Sequence, residues 1–297
     1  MAQDWQQEKE MSNAFWLKLI LKLALKLPRW SVRLLLHPIV FFFILVAPKK
    51  RQASRHYLTK IFAKKGTRPK IWHIYKHFFW FASALLDRVY FLTNQQELFD
   101  ISFTNHQAVI DTFAQHPGQF FISGHYGSVE ALKAQAIGKD YEIKPVIKLD
   151  HNQTIVNLFK ELNPTFYQSV IPNRGLETIF EIYENLKQGN SIALLADRPV
   201  GEAPTVLVDF LGDKIPLPLG VFEMIQRLPY PSNIFFSEYQ GGNQYHASFQ
   251  KFEINTKDSP EKLAQKFADI LAQQCLNSPY NWFNFYTYWD EANHVDK

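Results

Sequence analysis

Between residues 98 and 195 the chain switches period again and again, short apolar runs alternating with amphipathic stretches of about ten residues. Extended segments are predicted at 98–103, 119–123, 143–148, 167–171 and 191–195, and helices at 107–116, 128–137, 154–162 and 176–188. Strands separated by helices of that length build parallel sheets covered on both faces. The expected fold class is therefore α/β, a largely parallel sheet flanked by helices. Downstream, 235–249 reads as a hairpin turned by Gly241, Gly242 and Asn243, and a helix at 260–276 leads into an aromatic tail, 282–289.

The first quarter has a different texture. Residues 15–27 read FWLKLILKLALKL, with Lys18, Lys22 and Lys26 on one helical face. After Pro28, Arg29, Arg33 and His37 repeat that spacing, and the apolar run 39–47 stops against Pro48, Lys49, Lys50 and Arg51. The stretch 34–47 is shorter than the roughly 20 residues a spanning helix needs, and it contains His37 and Pro38. Acidic and polar residues precede the run and no small-residue cleavage site follows it, which disfavours a signal peptide. The expectation is a helical hairpin in the cytoplasmic leaflet, its lysines and arginines among anionic head groups. The alternatives are helices packed on the soluble body with their charges in water, and a shallow single span. Residues 1–65 are thus expected to form a membrane-associated helical segment and 66–297 the α/β domain.

Several classes drop out. With 46% hydrophobic residues in 297, a substantial core is available and disorder is not the default. A net charge of +4, concentrated at the N-terminus, argues against a nucleic-acid partner. Cys275 is the sole cysteine, so no internal disulfide forms and a reducing compartment fits. The ten histidines are scattered without His-Glu-x-x-His or Cys-x-x-Cys spacing, so no metal site is expected. No Gly-x-Ser-x-Gly elbow is present, which sets aside an α/β-hydrolase.

Chemistry concentrates in FFISGHYGSVEAL, 120–132, where a buried strand runs through Gly124 into His125 and a helix follows. Ligands in open α/β sheets bind beyond the carboxyl ends of strands. A histidine on the turn before a helix can fold back toward Glu130, one turn in. Imidazole accepts a proton from a hydroxyl near neutral pH, and a carboxylate fixes its tautomer. Asp197 and Arg198 follow the strand SIALL and reach the same edge, where they serve the substrate or simply bridge each other. Arg174 offers a fork of donors for a phosphate or an oxyanion, or is a surface arginine. Lys148, Asn152 and Arg227 are softer candidates.

The segment His125-Tyr-Gly-Ser-Val-Glu130 resembles the His-x-x-x-x-Asp/Glu signature of the lysophospholipid acyltransferase superfamily, most closely its lipid A biosynthesis acyltransferase branch. Ile171-Pro-Asn-Arg174, Leu194-Leu-Ala-Asp197-Arg198 and Val208-Asp-Phe-Leu-Gly212 are similar to later family segments, in the same order. The likeness covers roughly residues 70–290. QDWQQEKEMSNAFW and the later RQASRHYL are similar to a subgroup tied to aryl polyene lipid pathways. Arg198 stands where many lipid A enzymes carry glutamine, and NWFNFYTYW replaces their arginine-bearing tail, which leaves the acceptor open.

The resemblance implies a glycerol-phosphate acyltransferase-like fold at the cytoplasmic face of a bacterial inner membrane. It implies transfer of a fatty acyl chain from acyl carrier protein or coenzyme A to a lipid or glycolipid hydroxyl. His125 and Glu130 would be catalytic, Arg174, Asp197, Arg198 and Lys148 substrate-binding, and no cofactor beyond the donor is needed. An amine acceptor and a catalytically silent membrane adaptor are the alternatives.

Overall fold

The computed structural model describes residues 23–24, 26–116, 118–130, 142–149, 160–199, 201, 203–255, 257–286 and 288–289. Most of the basic segment 15–27, the helix expected at 128–137 beyond residue 130, most of the 154–162 helix, and Asn152 lie outside them. Three helices come first, α1 (Arg29–Val46), α2 (Pro48–Lys64) and α3 (Ile71–Leu92). Then follow β1 (Asp100–Thr104), α4 (His106–Gln115), β2 (Phe120–Ser123) and β3 (Ile143–Ile147). After α5 (Pro164–Gln168) come β4 (Ile171–Pro172), α6 (Leu176–Lys187) and β5 (Ser191–Leu195). The chain closes with β6 (Thr205–Phe210), β7 (Asp213–Pro218), α7 (Leu219–Arg227), β8 (Ser232–Gly241), β9 (Gln244–Lys251) and α8 (Pro260–Asn277).

Seven strands form one sheet in the order β1-β9-β8-β2-β5-β3-β4, every neighbouring pair parallel except β8 with β9. This is the expected α/β architecture. Phe120, Phe121, Ile122 and Ser123 of β2 are all buried, as a strand covered on both faces requires. The β6–β7 hairpin stands apart and was not anticipated. Residues 167–171, expected as a strand, divide between α5 and the two-residue β4. The local chemistry explains the division: Asn163 Oδ1 accepts from the Phe166 amide at 2.7 Å and Pro164 occupies the first helical turn, a strong helix start. The strand expected at 98–103 begins later, because Gln96–Leu98 closes a 3₁₀ turn.

The N-terminal helices share one apolar core with the sheet, Leu36, Tyr57 and Leu58 belonging to the same cluster as Phe120 and Ile192. The placement of Arg29 differs from the expectation. Val32, Leu36, Val40 and Ile44 form its buried stripe, and Arg29 turns inward beside them, while Arg33 packs against aromatic rings at the edge of a surface groove. Arg29 donates from Nε and Nη2 to the two Asp87 oxygens, each at 2.7 Å, and Tyr245 Oη donates to the same carboxylate at 2.8 Å. Arg33 lies over the rings of Phe79 and Tyr239 at 5.6 and 5.8 Å. What α1 turns outward is apolar: Trp30, Leu34, Phe41, Phe42 and Leu45 are exposed.

Asp87 is fully buried and the Arg29 side chain is only 11% exposed, so removing one partner strands the other's charge. Asp87→Ala is expected to cost about 3–5 kcal/mol and to lower the melting midpoint by roughly 5–15 °C. Asp213→Ala, which breaks an exposed pair with Lys60, is expected to cost no more than about 1 kcal/mol. Equal midpoints for the two variants in thermal unfolding would show that Arg29–Asp87 does not clamp α1 to the body.

Candidate active site

Strands β2 and β5 lie side by side, parallel and in register from Phe120↔Ile192 to Ser123↔Leu195. His125 and Asp197 each follow the last residue of their strand by two, so the two chains deliver imidazole and carboxylate to the same height. His125 Nδ1 and Asp197 Oδ1 are 2.8 Å apart. An ionised carboxylate only accepts, so Nδ1 carries the proton and donates, leaving the Nε2 lone pair free. The ring is 39% exposed while its carboxylate is fully buried.

Burial would raise the Asp197 carboxyl, but His125 and the Arg198 guanidinium outweigh it and hold the group well below the usual carboxylate range. Burial lowers the His125 pKa, Arg198 and Arg88 lower it further, and Asp197 opposes them without reversing the direction. The arrangement thus favours a neutral imidazole beside a permanently charged acceptor.

Glu130 does not fold back onto the Nδ1 of His125, as the spacing suggested. Its Oε1 meets Arg88 Nε at 2.6 Å and its Oε2 accepts from Ser128 Oγ at 3.2 Å. The physical reason is the sheet register, which fills the Nδ1 position from β5 before the helix after β2 begins. Arg88 was not singled out from the sequence, since nothing near it marks it apart from any other charge on α3.

The aromatic tail is built into the site. Trp282 Nε1 donates to Asp197 Oδ2 at 3.0 Å, and the Tyr288 hydroxyl donates to the Asp197 carbonyl. The Phe283 amide donates to the His125 carbonyl and the Gly127 amide to the Asn281 carbonyl, both at 2.8 Å. Trp282 is itself fully buried against Tyr57 of α2 and Phe210 of β6, each ring pair 5.0 Å apart. Buried His77 of α3, its pKa lowered to about 4, stays neutral. Its Nε2 donates to the Trp282 carbonyl at 2.9 Å and its Nδ1 accepts from Ser54 Oγ at 2.8 Å. The N-terminal helices therefore hold the strap that holds the carboxylate.

Two glycines make the loop possible. A Cβ on Gly124 would lie 3.1 Å from Asp197 Cγ, and one on Gly127 would lie 1.6 Å from the Ser237 carbonyl oxygen. Gly127 also sits at φ +61°, in the left-handed region that favours glycine.

The remaining candidates follow strand ends along the same edge: Lys148 after β3, Arg174 after β4, Arg198 after β5. Arg198 Nη2 donates to the Phe283 carbonyl at 2.5 Å and its guanidinium covers the Tyr286 ring at 5.0 Å, while its Nε stands 3.8 Å from Asp197 Oδ2. It braces both the strap and the carboxylate. Arg174 is exposed, with no side-chain partner among the described residues. Lys148 Nζ reaches the Gly201 loop. Arg227 closes the last turn of α7. Among the described residues no group of three or more metal-ligating side chains occurs.

Fold and site together define an α/β protein with a carboxylate-oriented imidazole at the carboxyl edge of its sheet, a constellation suited to general-base chemistry on a hydroxyl. The chain belongs to the bacterial lipid A biosynthesis acyltransferase family, whose model matches residues 3–291. Membership makes it an acyltransferase acting on lipid-type substrates. A search of curated proteins returned no match.

Proposed function

We propose that the protein transfers a fatty acyl chain from acyl carrier protein or coenzyme A to a hydroxyl of a lipid or glycolipid, with His125 as general base. The observation that carries this reading is the Nδ1 bond to Asp197, which leaves Nε2 basic on the open side of the ring. The acceptor hydroxyl gives its proton to Nε2 as its oxygen attacks the thioester carbonyl. The tetrahedral oxyanion then collapses, the carbon–sulfur bond breaks, and the departing thiolate takes the proton back from the imidazolium. Asp197 stabilises that imidazolium throughout. Glu130 with Arg88 tunes the charge beside it, and Lys148 and Arg174 face the phosphates of donor or acceptor along the same edge.

The reaction is set at the cytoplasmic face of a bacterial inner membrane, in a lipid pathway of the aryl polyene kind, whose acyltransferases the N-terminal segments resemble. Helix α1 has the length and composition of a membrane-crossing helix, with a mean hydropathy of 1.6 and 22% of its residues buried. Its Arg29–Asp87 clamp favours a helix lying along the bilayer surface over one that spans.

The test is mass spectrometry of lipids made by purified protein supplied with an acyl thioester and membrane extract. A new acyl ester, cleaved by mild alkali, is the expected product. An alkali-stable amide would move the acceptor to an amine, and no acylated product with either donor would leave the adaptor reading in its place.

A further inference from the structure

Helix α1 borders a second polar feature away from His125. A groove of about 500 Å³ runs between α1 and the β8–β9 turn, lined by Trp30, Arg33, Leu34, His37, Phe79 and Asn243 among others. That volume lies within the range of ordinary ligand sites. Arg29 also borders it, but its charge is matched by Asp87. Arg33 is different. Its guanidinium is held by the Phe79 and Tyr239 rings, has no ion-pair partner among the described residues, and keeps a buried Nε without a hydrogen-bond partner. A buried guanidinium N–H left unmade is costly, and the fork of donors suits a phosphate. His37, one helical turn further on, also lines the groove, its Nδ1 engaged with the Tyr75 hydroxyl at 2.5 Å.

The rim is apolar. Trp30 and Leu34, 68% and 58% exposed, flank the groove and continue into the outward Phe41, Phe42 and Leu45 of the same helix. A ligand that satisfies both parts carries a phosphate next to acyl chains, and an exposed tryptophan beside the cation matches the head-group level of a bilayer.

We propose that this groove binds the phosphate of an anionic membrane lipid, with Arg33 as its principal ligand. The inference rests on the reading of α1 as a bilayer-surface helix and is independent of His125. It gives the protein a fixed point on the membrane rather than a diffuse attraction, because a guanidinium resting on two rings loses less freedom when its fork of donors takes up one phosphate.

The experiment is partition of the full-length protein onto vesicles of phosphatidylcholine alone or with phosphatidylglycerol, for wild type, Arg33→Gln and Arg33→Lys. Wild type is expected to prefer the anionic vesicles, and Arg33→Gln to weaken that preference by about fivefold or more, the worth of one basic residue at such a surface. Arg33→Lys keeps a cation over the rings but not the planar fork, so it is expected to recover only part of the loss. Thermal unfolding accompanies each variant; if Arg33→Gln melts early, Arg33→Lys carries the comparison. An Arg33→Lys protein equal to wild type, or an unchanged preference in Arg33→Gln, overturns the proposal while leaving the surface helix intact. A wild type that binds neither vesicle overturns both. Inorganic phosphate is tested against chloride at equal ionic strength: a rise in the wild-type melting midpoint that Arg33→Gln abolishes, without any vesicle preference, assigns the groove to a soluble phosphate and overturns the lipid.

Discussion

His125→Ala is expected to slow acyl transfer by about 10²–10⁴-fold, the range a positioned general base contributes. The substitution removes the Nε2 that accepts the hydroxyl proton. The fold should survive, because Asp197 keeps the Trp282 indole and the Arg198 guanidinium as partners. Initial rates at matched folding, judged by the melting midpoint, decide the matter. The wild-type pH profile is a second reading of the same residue. The His125 pKa is lowered from 6.5, so the acidic limb of kcat/KM should fall below that value, the rate rising with pH as the ring loses its proton. A variant within about threefold of the wild-type rate, against the 10²–10⁴-fold of a general base, would remove His125 from the chemistry.

The parts of this molecule legible in its sequence are those decided by local periodicity. The alternation that marked β2 and β5 survives because strands buried on both faces read as continuous apolar runs, and SIALL of β5 lies where its pattern put it. The edge carrying His125, Asp197 and Arg198 was legible for the same reason, each residue following a strand, whereas the structure adds Lys148 and Arg174 to it. Which carboxylate meets the imidazole was not. Glu130 is five residues from His125 and Asp197 is 72 away, so only the lateral order β2-β5 and the pairing Ser123↔Leu195 bring the second closer to Nδ1. Periodicity reports which face a residue takes but not which strand lies next to which.

The same limit hid Trp282 and turned α1 the wrong way. In NWFNFYTYW six of the nine residues are aromatic, and an indole that donates to a carboxylate looks like one that fills a core. On α1, Arg29, Arg33 and His37 at four-residue spacing describe a polar stripe, and a polar stripe ordinarily faces water. Here it faces Asp87, Phe79 and Tyr75, because α3 supplies a buried counter-charge and aromatic faces that the helix's own sequence cannot reveal.

Asp197→Asn is expected to reduce kcat by about 10²–10⁴-fold, comparable to the loss of the base itself, while altering little of the packing. An asparagine is nearly the same size, so Gly124 still fits against it and Trp282 can still donate to its carbonyl oxygen. What it cannot do is serve both partners as acceptor: with that oxygen turned to the indole, the amide nitrogen meets Nδ1. The ring then moves its proton to Nε2, the position that has to be basic, and catalysis stalls in the wrong tautomer. Glu130→Gln separates the two carboxylates, because it leaves the Asp197–Nδ1 bond in place and acts through Arg88, whose unmatched charge would lower the His125 pKa further. Nitrogen-15 NMR of the histidine ring at neutral pH reads the difference directly. The Nδ1–H form should persist in Glu130→Gln and give way in Asp197→Asn; the reverse pattern would return the orienting role to Glu130, the carboxylate the sequence motif points to.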